Sequence, residues 1–179
     1  MNKFLRLLAG SILLIACDIC AAEQSGAEIT KKAASVKIIL THASKADGSE
    51  IGNVQVTYND GAKARWTSRG NCSLARIAPD GTVGWTVNGP ASRFSARGQR
   101  CNDTLVLCRK GKEVAIITSA MPYIEDWNFI NEGRHIVLRT RGSHGPSEIE
   151  LHSVASGKLV DSVKGYRDNL PIWAIPYKD

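Results

Sequence analysis

Trp127-Asn128-Phe129, then Asn131-Glu132-Gly133, then Ile136-Val137-Leu138 open a pattern that decides the fold. It continues through a loop, Thr140 to Glu148, into a strand-like run from Ile149 to Val154. The turn Ala155-Ser156-Gly157-Lys158 and a last run, Leu159 to Val163, complete it. Each apolar run is too short for a helix and is bounded by Gly, Asn or Ser, which is strand-and-turn composition. Only the N-terminal end departs from this. Elsewhere no long stretch holds the 3.6-residue apolar period of an amphipathic helix. The pattern predicts a meander of short antiparallel strands.

Upstream the chain repeats the same order. Ala75-Arg76-Ile77 leads to Pro79-Asp80-Gly81, the strand Val83 to Val87 and a long loop. The strand Thr104 to Cys108, the turn Arg109-Lys110-Gly111-Lys112 and the strand Glu113 to Thr118 follow. Gly81 falls where Gly133 falls, and Gly111-Lys112 where Gly157-Lys158 falls. A further start, Ile172-Trp173-Ala174-Ile175, echoes Asp126 to Phe129. Before the first unit lie a strand, Val36 to Leu40, and a hairpin. In the hairpin Val54 to Tyr58 turns through Asn59-Asp60-Gly61 into Ala64 to Thr67, with Asp-Gly supplying the positive φ that a tight turn demands.

A four-stranded meander with Asp-Gly or Asn-x-Gly after its first strand and Gly-Lys between its last two resembles a β-propeller blade, as found in exported repeat proteins. The resemblance spans residues 72–175. It implies an all-β fold of short antiparallel sheets, with two clear blade-like units. A third would be split between Trp173–Tyr177 and the strands in 36–67. Closed propellers have roughly four to eight blades. The resemblance therefore implies an open assembly or a homodimer, and a β-sandwich is the competing architecture.

The N-terminus reads as an export signal. Asn2-Lys3 precedes an apolar run from Phe4 to Ala16, shorter than the roughly 20 residues a spanning helix needs. Two cleavage motifs compete. Leu14-Ile15-Ala16-Cys17 resembles a lipobox, which would make a lipoprotein anchored through Cys17. Cys20-Ala21-Ala22 before Glu23 resembles an ordinary signal-peptidase site. The expected organisation is a signal at 1–22, a flexible tether at 23–34 and one all-β domain at 35–179. The expected location is the periplasm, where nucleic acid is out of reach and thiols can oxidise. Lys3, Arg6 and Asp18 leave with the signal, taking 23 basic and 17 acidic residues to 21 and 16, a net +5. Such a charge suits an acidic partner. Three cysteines then remain. Cys72 and Cys101 lie in polar sequence and are expected to form a disulfide. Cys108, in Leu105-Val106-Leu107-Cys108, reads as a buried thiol.

The chain holds no strong catalytic set. In Arg141-Gly142-Ser143-His144-Gly145 the Ser and His are adjacent, so an extended chain points them apart. His42, His135, His144 and His152 lack metal-ligand spacing, and no cofactor is expected. Glu125-Asp126 and Glu148/Glu150 are the carboxylates a glycan hydrolase could use. Binding is the stronger expectation. Two loops occupy the same place in the two units: one carries Arg93, Phe94, Arg97 and Arg100, the other Arg139, Arg141, Ser143 and His144. Together they would form a cationic rim for an acidic protein. The expected function is a non-enzymatic periplasmic inhibitor or immunity protein that blocks a secreted envelope hydrolase. A small glycan hydrolase and a structural accessory lipoprotein are the alternatives.

Overall fold

A computed structural model describes residues 25–31, 36–44, 50–89 and 101–179. The loop residues Arg93, Phe94, Arg97 and Arg100, and both cleavage motifs, lie outside the described residues. The described chain is twelve strands in three consecutive four-stranded antiparallel meanders. The first comprises β1 (Ser25–Lys31), β2 (Val36–Ser44), β3 (Glu50–Tyr58) and β4 (Lys63–Arg69). The second comprises β5 (Asn71–Ile77), β6 (Val83–Gly89), β7 (Cys101–Arg109) and β8 (Lys112–Thr118). The third comprises β9 (Tyr123–Ile130), β10 (His135–Arg141), β11 (Glu148–Ser153) and β12 (Leu159–Lys164). A single parallel pairing, Asn102 with Tyr123, joins the second meander to the third.

Positive-φ glycines make the expected turns. Gly81 (φ 81°) sits between β5 and β6, and Gly133 (φ 87°) between β9 and β10. An L side chain is strained there, which is why Gly recurs at both places.

The sheets stack face on face. Val36, Ile38, Leu40, Val54 and Val56 of the first meander bury against Ala75, Ile77, Val83 and Trp85 of the second. Leu105, Leu107 and Ile117 of the second bury against Ile124, Trp127, Ile136 and Leu138 of the third. On β10, Ile136 and Leu138 face that seam, while Val137 between them faces the opposite side. There Val137, Ile149 and Leu151 are covered by Ala174 and Tyr177, with Leu170 and Trp173 packed alongside. The C-terminal segment thus lies over the apolar face where a fourth sheet would otherwise be required. Solenoids protect their ends by the same logic.

Three expectations are corrected. The first sheet is complete in itself, and Trp173–Tyr177 does not join it. That segment instead buries apolar side chains on the third meander, ending in a short 3-10 turn, Ile175–Tyr177. Residues 25–31, expected within a tether, form β1, which pairs with β2 from Ser25↔His42 to Lys31↔Val36. Pairing satisfies backbone groups along β2 that an open edge would leave bare. Cys72 and Cys101 form no disulfide. Register explains it: Cys72 on β5 pairs with Val87 of β6, and Cys101 on β7 pairs with Gly89 of β6. With β6 between them, the two backbones stand about two strand spacings apart, roughly 9–10 Å, against a limit of about 7 Å for a bridge.

Candidate functional site

The connections after β6 and after β10 are both second-to-third-strand links of their meanders, and only the second lies among the described residues. The β10–β11 loop has a built base and an open tip. Arg139 and Arg141 lie two apart at the end of β10 and so point to the same side. Arg139 Nη2 donates to Asp179 Oδ1 at 3.0 Å. Glu125 lies between the two arginines, 3.5 Å from Arg139 Nε and 3.3 Å from Arg141 Nε.

Asp179 binds the far side of the loop as well. Ser147 Oγ donates to its Oδ1 at 2.6 Å and the Ser147 N–H to its Oδ2 at 3.2 Å. The Ser147 hydroxyl first, then the Ser147 N–H and Arg139, hold the Asp179 carboxyl below the usual aspartate range. The Gly165 N–H closes onto the Ser147 carbonyl at 3.0 Å. Between these anchors residues 143–146 are exposed, including Ser143 and His144.

Arg139 and Arg141 of the expected rim are ion-paired within the chain and brace the loop, and Arg141 keeps about 41% of its side chain exposed. Ser143 and His144 are exposed, as a contact surface requires. The sequence holds no local signal for the braces, because Asp179 lies 40 residues from Arg139.

The carboxylates a hydrolase would need are engaged. Besides Glu125, Asp126 pairs with Arg76 at 2.8 Å, and Glu148 pairs with Lys164 Nζ at 2.6 Å. Glu150 is buried with His152, which reaches it through Nε2 at 2.9 Å. Ser119 Oγ (3.0 Å), the Ala120 N–H (3.1 Å) and Thr140 Oγ1 (3.3 Å) also donate to Glu150 Oε1. Burial alone would raise the Glu150 carboxyl, but His152, Ser119 and the Ala120 N–H together hold it below the usual range. His152 Nδ1 faces the Gly157 carbonyl at 3.2 Å. This closed network ties β10, β11 and the turn after β11 to the segment after β8. Among the described residues no group of three or more His, Cys, Asp or Glu could hold a metal.

The sheets form an open stack of blade-like meanders, each packed on the next. The fold is propeller-like. Among solved structures the chain is similar to the β-propeller domain of the Trilobed protease from Pyrococcus furiosus, described as an open velcro topology. The TM-score is 0.52 at 14% identity, covering 80% of this chain and 42% of that one. It is also similar to the Pyrococcus horikoshii acylaminoacyl peptidase, with a TM-score of 0.50 at 11% identity, covering 80% of this chain and 25% of that one. The chain thus spans less than half of either protein, and identities this low establish the fold alone. No family model matches the sequence, and neither does any curated protein.

Proposed function

We propose that this protein is an exported, non-enzymatic binding module. Its partner is an acidic protein of the envelope, such as a secreted hydrolase that it blocks, in the manner of an inhibitor or immunity protein. The observation that carries the reading is the β10–β11 loop, an exposed tip at 143–146 on a base fixed by Arg139, Arg141, Ser147 and Asp179. A loop ordered before contact loses less conformational freedom on binding, and affinity rises accordingly. Ser143 and His144 are its contacts, joined by Arg93, Phe94, Arg97 and Arg100 from the equivalent loop. The net charge of +5 expected after signal removal, from 21 basic and 16 acidic residues, draws an acidic partner.

Pull-down from an envelope extract tests this with wild type, Arg97→Glu and His144→Asp. Both variants should keep the melting temperature and lose the captured partner, since an anchor lost from an interface costs about 2 kcal/mol or more. Glu125→Gln and Glu148→Gln serve as the opposing arm. If the loop variants keep every partner while one of these two abolishes glycan hydrolysis by the purified protein, the enzyme reading replaces this one.

A further inference from the structure

The two ends of the stack are finished differently. The C-terminal segment covers the apolar outer face of the third meander, whereas the outer face of the first is polar. Val54 and Val56 on β3 point into the core, so strand alternation sends their neighbours outward. Register sets these in rows across three strands: Ile39–Gln55–Arg65 and Thr41–Asn53–Thr67. A groove of about 390 Å³ lies over them. The next row adds Lys37 on β2 and Lys63 on β4, opposite each other across Thr57.

The face is polar, and toward β4 it is cationic. Thr67 Oγ1 donates to Asn53 Oδ1 at 3.1 Å, so the carbonyl end of the amide is used and its NH2 is left to face the groove. Exposed Arg65 and Lys63 add charged donors on the same edge. Over β2–β4 the rows hold no carboxylate; the first row continues onto β1 at Glu28, opposite Ile39 and on the edge farthest from Arg65. Cations with amides and hydroxyls suit a ligand that carries both anionic groups and many hydroxyls. The aromatic residue of β4 is turned away: Trp66 packs inward on Trp85, ring centroids 5.1 Å apart. Binding to single-stranded nucleic acid depends on aromatic platforms for base stacking, and the three rows offer none.

We propose that the outer face of β2–β4 binds an acidic polysaccharide, with Arg65 and Lys63 on its carboxylates and Asn53, Gln55 and Thr41 on its hydroxyls. This site lies on a different sheet from the β10–β11 loop and does not depend on that loop's role.

Affinity electrophoresis of the folded protein through gels holding polygalacturonate, neutral dextran or a single-stranded oligonucleotide tests the proposal. Polygalacturonate should retard the wild type and dextran should not. Lys63→Glu with Arg65→Glu should weaken retardation about tenfold, the order expected when two exposed ion contacts are reversed. Lys158→Glu with Arg167→Glu changes net charge equally on exposed positions of the third meander and should retain binding. Asn53→Leu with Gln55→Leu keeps the charge and should weaken binding several-fold, with the melting temperature confirming each fold. The proposal is overturned if the wild type ignores polygalacturonate or if both charge variants lose binding alike. Retention of the oligonucleotide as strongly as the glycan would also overturn it.

Discussion

Replacing Gly84 with Ala tests the seam between the second and third meanders. A Cβ at that position would stand 2.6 Å from Cη2 of Trp127 and 2.8 Å from Cδ2 of Leu107, where carbon atoms settle at about 3.5–4.0 Å. Trp127 has little room to yield. It is fully buried, its Nε1 donates to the Leu74 carbonyl at 2.6 Å, and Phe129 meets it edge-on at 5.2 Å. Overpacking of this kind costs about 1–3 kcal/mol. Removing a glycine returns about 0.4–1 kcal/mol through the unfolded chain, so overpacking wins. The expected net loss is about 1–2 kcal/mol, a drop of roughly 2–8 °C in melting temperature for a domain of this size. Trp127→Phe removes the ring atoms that meet Gly84 but strands the Leu74 carbonyl, costing about 1–3 kcal/mol by itself. In the double variant the clash is relieved, so the combined loss should fall short of the sum by about 1 kcal/mol. Urea unfolding of the four proteins measures the cycle. Strict additivity would show that Gly84 and Trp127 do not share one packed seam.

Glu150→Gln replaces a buried carboxylate that meets Ser119, the Ala120 N–H and His152 with an amide holding a single acceptor oxygen, and should cost about 1–3 kcal/mol. In the wild type the folded Glu150 carboxyl titrates below its unfolded value. Its contribution is therefore full above the unfolded pKa and fades as pH falls through the folded one, and unfolding curves taken on acidification should show the Gln variant losing less. Alkylation followed by peptide mapping should find no Cys72–Cys101 bridge. Burial raises the Cys72 thiol and pushes Cys108 up to about 12, so both should resist iodoacetamide at mildly alkaline pH until the protein is denatured. Intact mass from an envelope fraction should show a chain starting at lipidated Cys17 or at Glu23, and a full-length Met1 chain in the cytosol would defeat the export reading.

The sequence by itself determined the all-β character and the two clear meanders. Strand alternation and turn glycines are local properties: Gly81 and Gly133 must take positive φ wherever the strands later pack, so a linear reading finds them. It also marked Cys108 as a core thiol from the apolar run around it. Tertiary structure decided what depends on residues far apart in the chain. No local rule says that Tyr177 and Ala174 will cover Val137 and Ile149, so the third unit was misassigned to a split sheet. Cys72 and Cys101 have polar neighbours that suit a bridge, yet the pairing of β5 and β7 on opposite sides of β6 keeps them apart. The ion pairs of Arg139 and Arg141 with Asp179 are invisible in the sequence, because Asp179 is brought to them only when the final segment folds over the third meander. Charge is legible from composition. Whether a charge is available to a partner depends on which carboxylate the fold places beside it, and that is fixed only by three-dimensional packing.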